Sequence, residues 1–269
     1  MTKSINEGFE NLKQQVNSNI LTHPIIRENK YCEWFSKGNI SKEDAIDFTV
    51  QFSVFSNHFL IAQLMKIINA QSMEEARAGK EILCNELGVI FSSKETENKM
   101  ADTDLVGITG TVNNSTYKFE AAHFEWLVNF AEPLGLKYED LGKSQFALPS
   151  TSFFCEELKR LYGSADPQTA LGASFAVENW AASGFWKQLI TGFEKFKIKT
   201  GINLKLFFFK WHDALEAQHA QHTWCELEEV YFSSPDFHTD LFIDSAVEML
   251  EGVSSFFNGL DEQRSSRVS

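Results

Sequence analysis

One predicted helix carries three residues whose types and spacing suit metal binding. Between Trp211 and His219, the residues His212, Glu216 and His219 occur at positions i, i+4 and i+7. At about 100° per residue, this spacing brings the three side chains to one face of a helix. Imidazole and carboxylate groups are common ligands of transition metals. The pattern therefore predicts a helix face that supplies three metal ligands.

The same helix face is otherwise apolar, which indicates that it is buried. It also carries Phe208, Leu215 and Thr223. Two imidazoles and a carboxylate in an apolar environment are energetically costly unless a partner compensates them. A bound metal ion is a suitable partner for all three groups.

One helix cannot fill the coordination sphere of a metal, so other helices must contribute ligands. Glu86, His123 and Glu178 each interrupt an otherwise apolar helical pattern. Taken singly, His123 also suits a core or rim histidine, and Glu86 a helix-end carboxylate near Gly88. A buried glutamate such as Glu178 is rare unless it is paired. Together with the first three residues, they match what two iron or manganese ions require in a helical bundle.

Three further residues are candidates for supporting roles. His222 is rotated by about 60° from His219 on the helix, which favours a surface position or a place behind the ligands. Glu226 returns to the ligand face two turns beyond His219. His58, on the helix before Glu86, is a candidate to face the site.

Composition and charge exclude several classes of function. The 269 residues are 43% hydrophobic, and 25 phenylalanines supply ample material for a core. With only 15 glycines and 5 prolines, the chain is unlike an all-β or linker-rich protein. The formal net charge of -13 argues against nucleic-acid binding, because an acidic surface repels phosphate.

The sequence predicts a cytoplasmic protein without a membrane segment. It lacks both the apolar run of a signal peptide and the ~18 apolar residues of a membrane span. The four cysteines are scattered without a CxxC pair, as in proteins of reducing compartments.

Hydrophobic periodicity predicts one all-α domain over residues 1–260. Residues 92–115 are polar and rich in Thr, Asn and Gly, which predicts a loop or small hairpin inserted in that domain, with a lid as one role. Residues 261–269 are predicted to form a polar, frayed tail. The longer helices are predicted at about 5–19, 41–70, 73–90, 116–132, 166–196, 203–232 and 234–259.

These motifs resemble the heme-oxygenase-like diiron oxidases, which are related to TenA, PqqC and CADD. In that family a Glu precedes a His, and a lone Glu then precedes a His-x3-Asp/Glu-x2-His helix. Glu86, His123 and Glu178 match the first three positions, and His212, Glu216 and His219 match the final helix. His23-Pro24 and the stretch 34–44 resemble the opening of the family, so the resemblance covers most of the chain.

The resemblance implies a heme-oxygenase-like, TenA/PqqC-like bundle of about seven main helices. It also implies a homodimer with two iron ions, or manganese in their place, without heme, and with dioxygen as cosubstrate. This chain departs from the pattern in two places. Glu86 and His123 are 37 residues apart instead of a few, and Glu216 stands where Asp is commoner.

The function implied is that of a non-heme diiron oxidase or oxygenase acting on a small, apolar or amino-acid-like molecule. Two alternatives remain open on the sequence alone. One is a metal-free, TenA/PqqC-like enzyme of cofactor metabolism, which would not need the six candidate ligands together. The other is a non-catalytic interaction protein whose acidic surface binds a basic partner.

Overall fold

Helices make up almost all of the regular structure. The computed structural model describes the backbone of residues 2–90, 108–109, 118–119 and 121–267, and the side chains of residues 6–89, 121–214 and 223–267. The helices are α1 (Thr2–Gln15), α2 (Pro24–Arg27), α3 (Lys30–Ser36), α4 (Lys42–Asn69), α5 (Met73–Glu86), α6 (His123–Ala131), α7 (Pro149–Glu157), α8 (Pro167–Ala181), α9 (Phe185–Thr200), α10 (Phe207–Ser233) and α11 (Thr239–Ser266). Single π-helical turns extend α1 and α7, at Val16–Ile20 and Leu158–Tyr162.

Local capping begins α4 where the sequence predicts it. The Ser41 hydroxyl accepts a hydrogen bond from the Asp44 backbone N–H at 3.0 Å. In return, the Asp44 carboxylate accepts one from the Ser41 backbone N–H at 2.8 Å. This reciprocal pair satisfies two donors that a helix start otherwise leaves unbonded.

The long helix predicted for residues 166–196 is instead two helices. Its start agrees with the prediction, and Asp166 caps it by accepting a hydrogen bond from the Thr169 N–H at 2.8 Å. However, α8 ends at Ala181, and Gly184 adopts φ = 96° before α9 begins. Glycine takes this left-handed conformation without steric cost. The prediction was wrong because the apolar pattern continues on both sides of this turn.

The helix predicted for residues 116–132 begins only at His123. Upstream of it, the two-residue strand β3 (Lys118–Phe119) pairs antiparallel with both β1 (Val89–Ile90) and β2 (Ile108–Thr109). The helix predicted for 73–90 likewise ends at Glu86. Most of the predicted insertion at 92–115 lies outside the described residues.

The tail predicted from residue 261 is helical as far as Ser266. Arg267 pairs with Asp44 and Asp47 of α4. The Arg264 guanidinium lies 4.1 Å from the centre of the Trp34 ring, in α3. These contacts hold the polar end of α11 against the bundle, which explains why it does not fray.

Aromatic side chains fill the core and connect the helices that carry the candidate site. Phe52 in α4 is 1% exposed. Its ring centre lies 5.7 Å from that of Trp186 in α9, 5.9 Å from Phe208 in α10 and 6.3 Å from Phe256 in α11. The buried hydrophobic cluster extends from Phe9 in α1 to residue 260 in α11. The predicted all-α class is therefore confirmed.

None of the described helices combines the length and apolarity needed to cross a membrane.

Replacing Gly172 by alanine should destabilise the packing of α8 against α11. A Cβ atom at this position would collide with the Phe242 carbonyl oxygen, and it would lie 3.3 Å from the Ala246 backbone nitrogen. Backbone atoms cannot rotate away, so we expect Gly172→Ala to lower the free energy of unfolding by about 1–3 kcal/mol in urea titrations. Gly252→Ala, also in α11, is the control, because its Cβ would lie no closer than 3.3 Å to the side chains around it. Equal losses in the two variants would contradict this account.

The cysteines should differ sharply in their reactivity with iodoacetamide. Burial raises the pKa of Cys155 to about 12 and that of Cys32 well above its ordinary value, whereas Cys225 is exposed. Only the thiolate reacts, so at pH 8 the native protein should be alkylated at Cys225 and spared at Cys32 and Cys155. Peptide mass spectrometry measures this, with urea-unfolded protein as the control in which all three react. Alkylation of Cys155 in the native protein at the rate of Cys225 would contradict the burial of Cys155 and its raised pKa.

Candidate metal centre

Three candidate ligands from three helices meet at one point. Glu86 is the last residue of α5, His123 is the first of α6, and His212 lies near the start of α10. One potential ligand atom from each lies within 4.8 Å of the other two. Among the described residues, this is the group of His, Cys, Asp or Glu side chains whose geometry fits a metal ion.

The small sheet brings Glu86 and His123 together across their long separation in sequence. β1 begins three residues after Glu86, and β3 ends four residues before His123. Val89 pairs directly with Phe119. The strand that follows α5 therefore lies beside the strand that precedes α6. The 37-residue gap therefore does not keep the two side chains apart.

His123 is a buried imidazole without a hydrogen bond to any described residue. Its side chain is 3% exposed, and its Nδ1 lies 3.0 Å from Oε2 of Glu86, whose side chain is 16% exposed. That approach lies off the direction of a hydrogen bond, and neither ring nitrogen has a hydrogen-bond partner within the described part of the chain. Burying a polar ring without hydrogen bonds is costly. A metal ion would bind an imidazole nitrogen and the neighbouring carboxylate, so these residues fit one.

A hydrogen bond from Nδ1 of His212 favours the tautomer that suits a metal ligand. Its Nδ1 lies 2.6 Å from the carbonyl oxygen of Phe208, one turn earlier in α10. Because a carbonyl only accepts hydrogen bonds, Nδ1 carries the proton and the ring lone pair is on Nε2. Histidine ligands in metalloproteins are commonly fixed in this way. The His212 and His123 ring centres are 5.0 Å apart, with planes at 79°.

Aromatic rings surround the two imidazoles. They place apolar surface against the imidazoles, and electrostatic interactions are stronger in such surroundings than in water. The rings in contact with the imidazoles are those of Trp126, Trp186, Phe208 and Trp211.

Glu178 lies in α8, apart from this group of three. The side chain of the next residue, Asn179, donates to the Thr223 hydroxyl at 3.2 Å, which sets this turn of α8 beside Thr223 of α10. The backbone of His219 lies about one helical turn before Thr223. Glu178 is therefore near the His219 end of α10, whereas Glu86 and His123 are near the His212 end.

Lys66 is a charged residue near Glu178 that the sequence analysis missed. Its ammonium group donates to the Ser174 hydroxyl at 3.1 Å and lies 4.9 Å from the Tyr162 ring centre. Burial lowers the pKa of Lys66, but Tyr162, Glu226 and Glu178 outweigh burial and raise it overall. Lys66 thus provides a positive charge that compensates part of the carboxylate charge here. Its place in the apolar run 59–68 was the available signal.

The remaining predicted residues divide into two groups. The side chains of Glu216, His219 and His222 lie outside the described residues, so their roles stay predictions. His58 does not belong to the group of three. Its Nε2 lies 2.9 Å from the Ser144 hydroxyl, so it contacts the loop before α7. Glu226 is exposed, and its negative charge raises the pKa of Lys66.

Comparison with known proteins identifies the fold. No family model matches the chain, and no curated protein matches it. Two solved structures are similar to it over nearly their whole length. One is a domain of unknown function with a heme oxygenase-like fold from Shewanella denitrificans OS217, with a TM-score of 0.56 and 15% identity, covering 98% of this chain and 93% of that chain.

The other is a TenA homolog from Pseudomonas syringae pv. tomato DC3000. It matches with a TM-score of 0.55 and 10% identity, covering 93% of this chain and 92% of that chain. At such low identity the likeness concerns architecture, and the predicted architecture is confirmed. The chain has the heme oxygenase-like fold that it shares with a TenA homolog.

Proposed function

We propose that this protein is a non-heme diiron enzyme that uses dioxygen to oxidise or oxygenate a small molecule. The observation that carries the proposal is the convergence of Glu86, His123 and His212 from three helices to within 4.8 Å. A heme oxygenase-like fold by itself hosts different functions, so the argument depends on the side chains. An imidazole buried without hydrogen bonds beside a carboxylate and a second imidazole is expected of a metal site.

Six residues would hold the two metal ions. Glu86, His123 and His212 are the ligands at one end of the site, and Glu178, Glu216 and His219 are assigned to the other. Mixed carboxylate and imidazole ligands suit iron or manganese. When bound, two ferrous ions would supply electrons for the reduction of dioxygen.

The protein groups around the site have separate tasks. The Phe208 carbonyl accepts a hydrogen bond from Nδ1 of His212, which assigns Nε2 as the ligand nitrogen. Trp126 and Trp186 place apolar surface against the imidazoles. The Lys66 ammonium group offsets part of the carboxylate charge near Glu178. The aromatic rings around the imidazoles favour an apolar or aromatic substrate, or an amino acid with such a side chain.

A metal-free enzyme of the TenA type is the second candidate. The likeness to a TenA homolog, with a TM-score of 0.55, favours it. Such an enzyme would not depend on Glu86, His123 and His212 as a set. Metal binding by the purified protein therefore separates the two candidates.

Loss of any one of the three converging ligands should weaken iron binding. Protein reconstituted anaerobically with Fe(II) should hold close to two iron atoms per chain by elemental analysis. We expect His123→Ala, His212→Ala and Glu86→Gln each to retain fewer. The alanine variants remove a ligand nitrogen, and Glu86→Gln replaces a charged carboxylate by a weaker, neutral ligand. His58→Ala is the matched control, since it removes an imidazole that contacts Ser144. Wild-type protein with less than one metal per chain would contradict the diiron assignment.

Fe(II) should also stabilise the folded protein. A ligand that binds only the native state adds about 2.7 kcal/mol at a hundredfold excess over its Kd. Anaerobic thermal melts should therefore show a higher Tm with Fe(II) for the wild type and for His58→Ala, and a smaller rise for His123→Ala. Admitting dioxygen to the Fe(II)-loaded wild type should consume it in an oxygen electrode. Equal Tm rises in the wild type and His123→Ala would count against His123 as a ligand.

A further inference from the structure

We propose that Trp126 is a positioning residue that sets the ring plane of His123 for metal binding, an inference that rests on the proposed function. The two rings are stacked, with centres 4.7 Å apart and planes at 24°. They lie three residues apart at the start of α6 and thus on one helix face. Metal-binding histidines are usually oriented by a hydrogen bond from the second ring nitrogen. Within the described residues His123 has no such bond, and the stack on Trp126 is its closest ring contact.

His212 provides an internal comparison. It too is stacked on an indole, that of Trp186 in α9, with centres 4.8 Å apart and planes at 23°. In addition, its Nδ1 donates to the Phe208 carbonyl at 2.6 Å. His212 therefore combines its stack with a hydrogen bond, whereas the ring of His123 has no hydrogen bond to any described residue. Orientation of His123 should depend more strongly on its tryptophan.

Trp126 is itself held by ring packing. Its side chain is 6% exposed, and its indole N–H has no hydrogen-bond partner within the described residues. The ring centre lies 4.6 Å from that of Phe207, at 85°, and 5.7 Å from that of Trp211, at 64°. Both neighbours belong to α10, the helix that carries His212. α10 thus supplies one imidazole directly and orients the other through Trp126.

The stack should favour the metal-bound form over the metal-free form. An imidazole that binds a cation gains partial positive charge, and the face of an indole carries negative charge density. The attraction between His123 and Trp126 therefore increases on metal binding. This distinguishes positioning from simple core packing, which would affect both forms equally.

The test is an anaerobic titration with Co(II), in competition with a chelator, on variants checked for folding by circular dichroism. Trp126→Leu removes the stack and should weaken Co(II) binding by about 10-fold or more. It should also alter the visible absorption of bound Co(II), which reports ligand geometry. Trp126→Phe retains an aromatic face and should recover most of the affinity.

Two other tryptophans serve as controls. Trp180 is 2% exposed and stacks on Phe185, with centres 4.5 Å apart, so Trp180→Leu should lower stability and leave Co(II) affinity unchanged. Trp186→Leu should weaken binding less than Trp126→Leu, because His212 keeps its hydrogen bond.

Several outcomes would overturn the positioning role. These are wild-type Co(II) affinity in folded Trp126→Leu, no recovery in Trp126→Phe, or an equal loss of affinity in Trp180→Leu. If the wild type binds Co(II) tightly and one of these outcomes is found, the proposed metal site is retained and only the role of Trp126 is rejected. Absence of Co(II) binding by the wild type would contradict the proposed function and this role together.

Discussion

The pairing of β1 with β3 is the constraint on which the candidate site depends. It is only two residues long on each strand, yet it brings the end of α5 against the start of α6. Without that contact, the alignment of Glu86 with His123, 37 residues later, would depend on the packing of α5 and α6 against α4 and each other. Their 3.0 Å approach then creates a buried polar pair that a metal ion would complete.

The aromatic core and the candidate site are physically continuous. Phe52 contacts rings of α9, α10 and α11, and the same layer extends through Trp186 to His212. Core packing therefore helps to set the position of His212, and a change in the packing of the core rings would shift this imidazole. A site built in this way needs few hydrogen bonds, because stacked rings restrict side-chain rotation.

Much of the fold could be predicted from short-range signals. The capping pair of Ser41 and Asp44 begins α4, and Asp166 begins α8, as expected from local chemistry. The errors occur where periodicity carries no information. The turn at Gly184 leaves the apolar pattern uninterrupted, and the end of α11 is helical because Arg267 finds partners in α4.

The sequence by itself determined the residue types of the candidate site and, through helical periodicity, that His212, Glu216 and His219 share a helix face. It also indicated an all-helical, acidic chain. Only the tertiary structure decided that Glu86 and His123 meet His212, that His58 contacts Ser144, and that Lys66 lies near Glu178. The physical reason is range. Helix periodicity and capping act over a few residues, whereas strand pairing and ring packing join residues far apart in the chain.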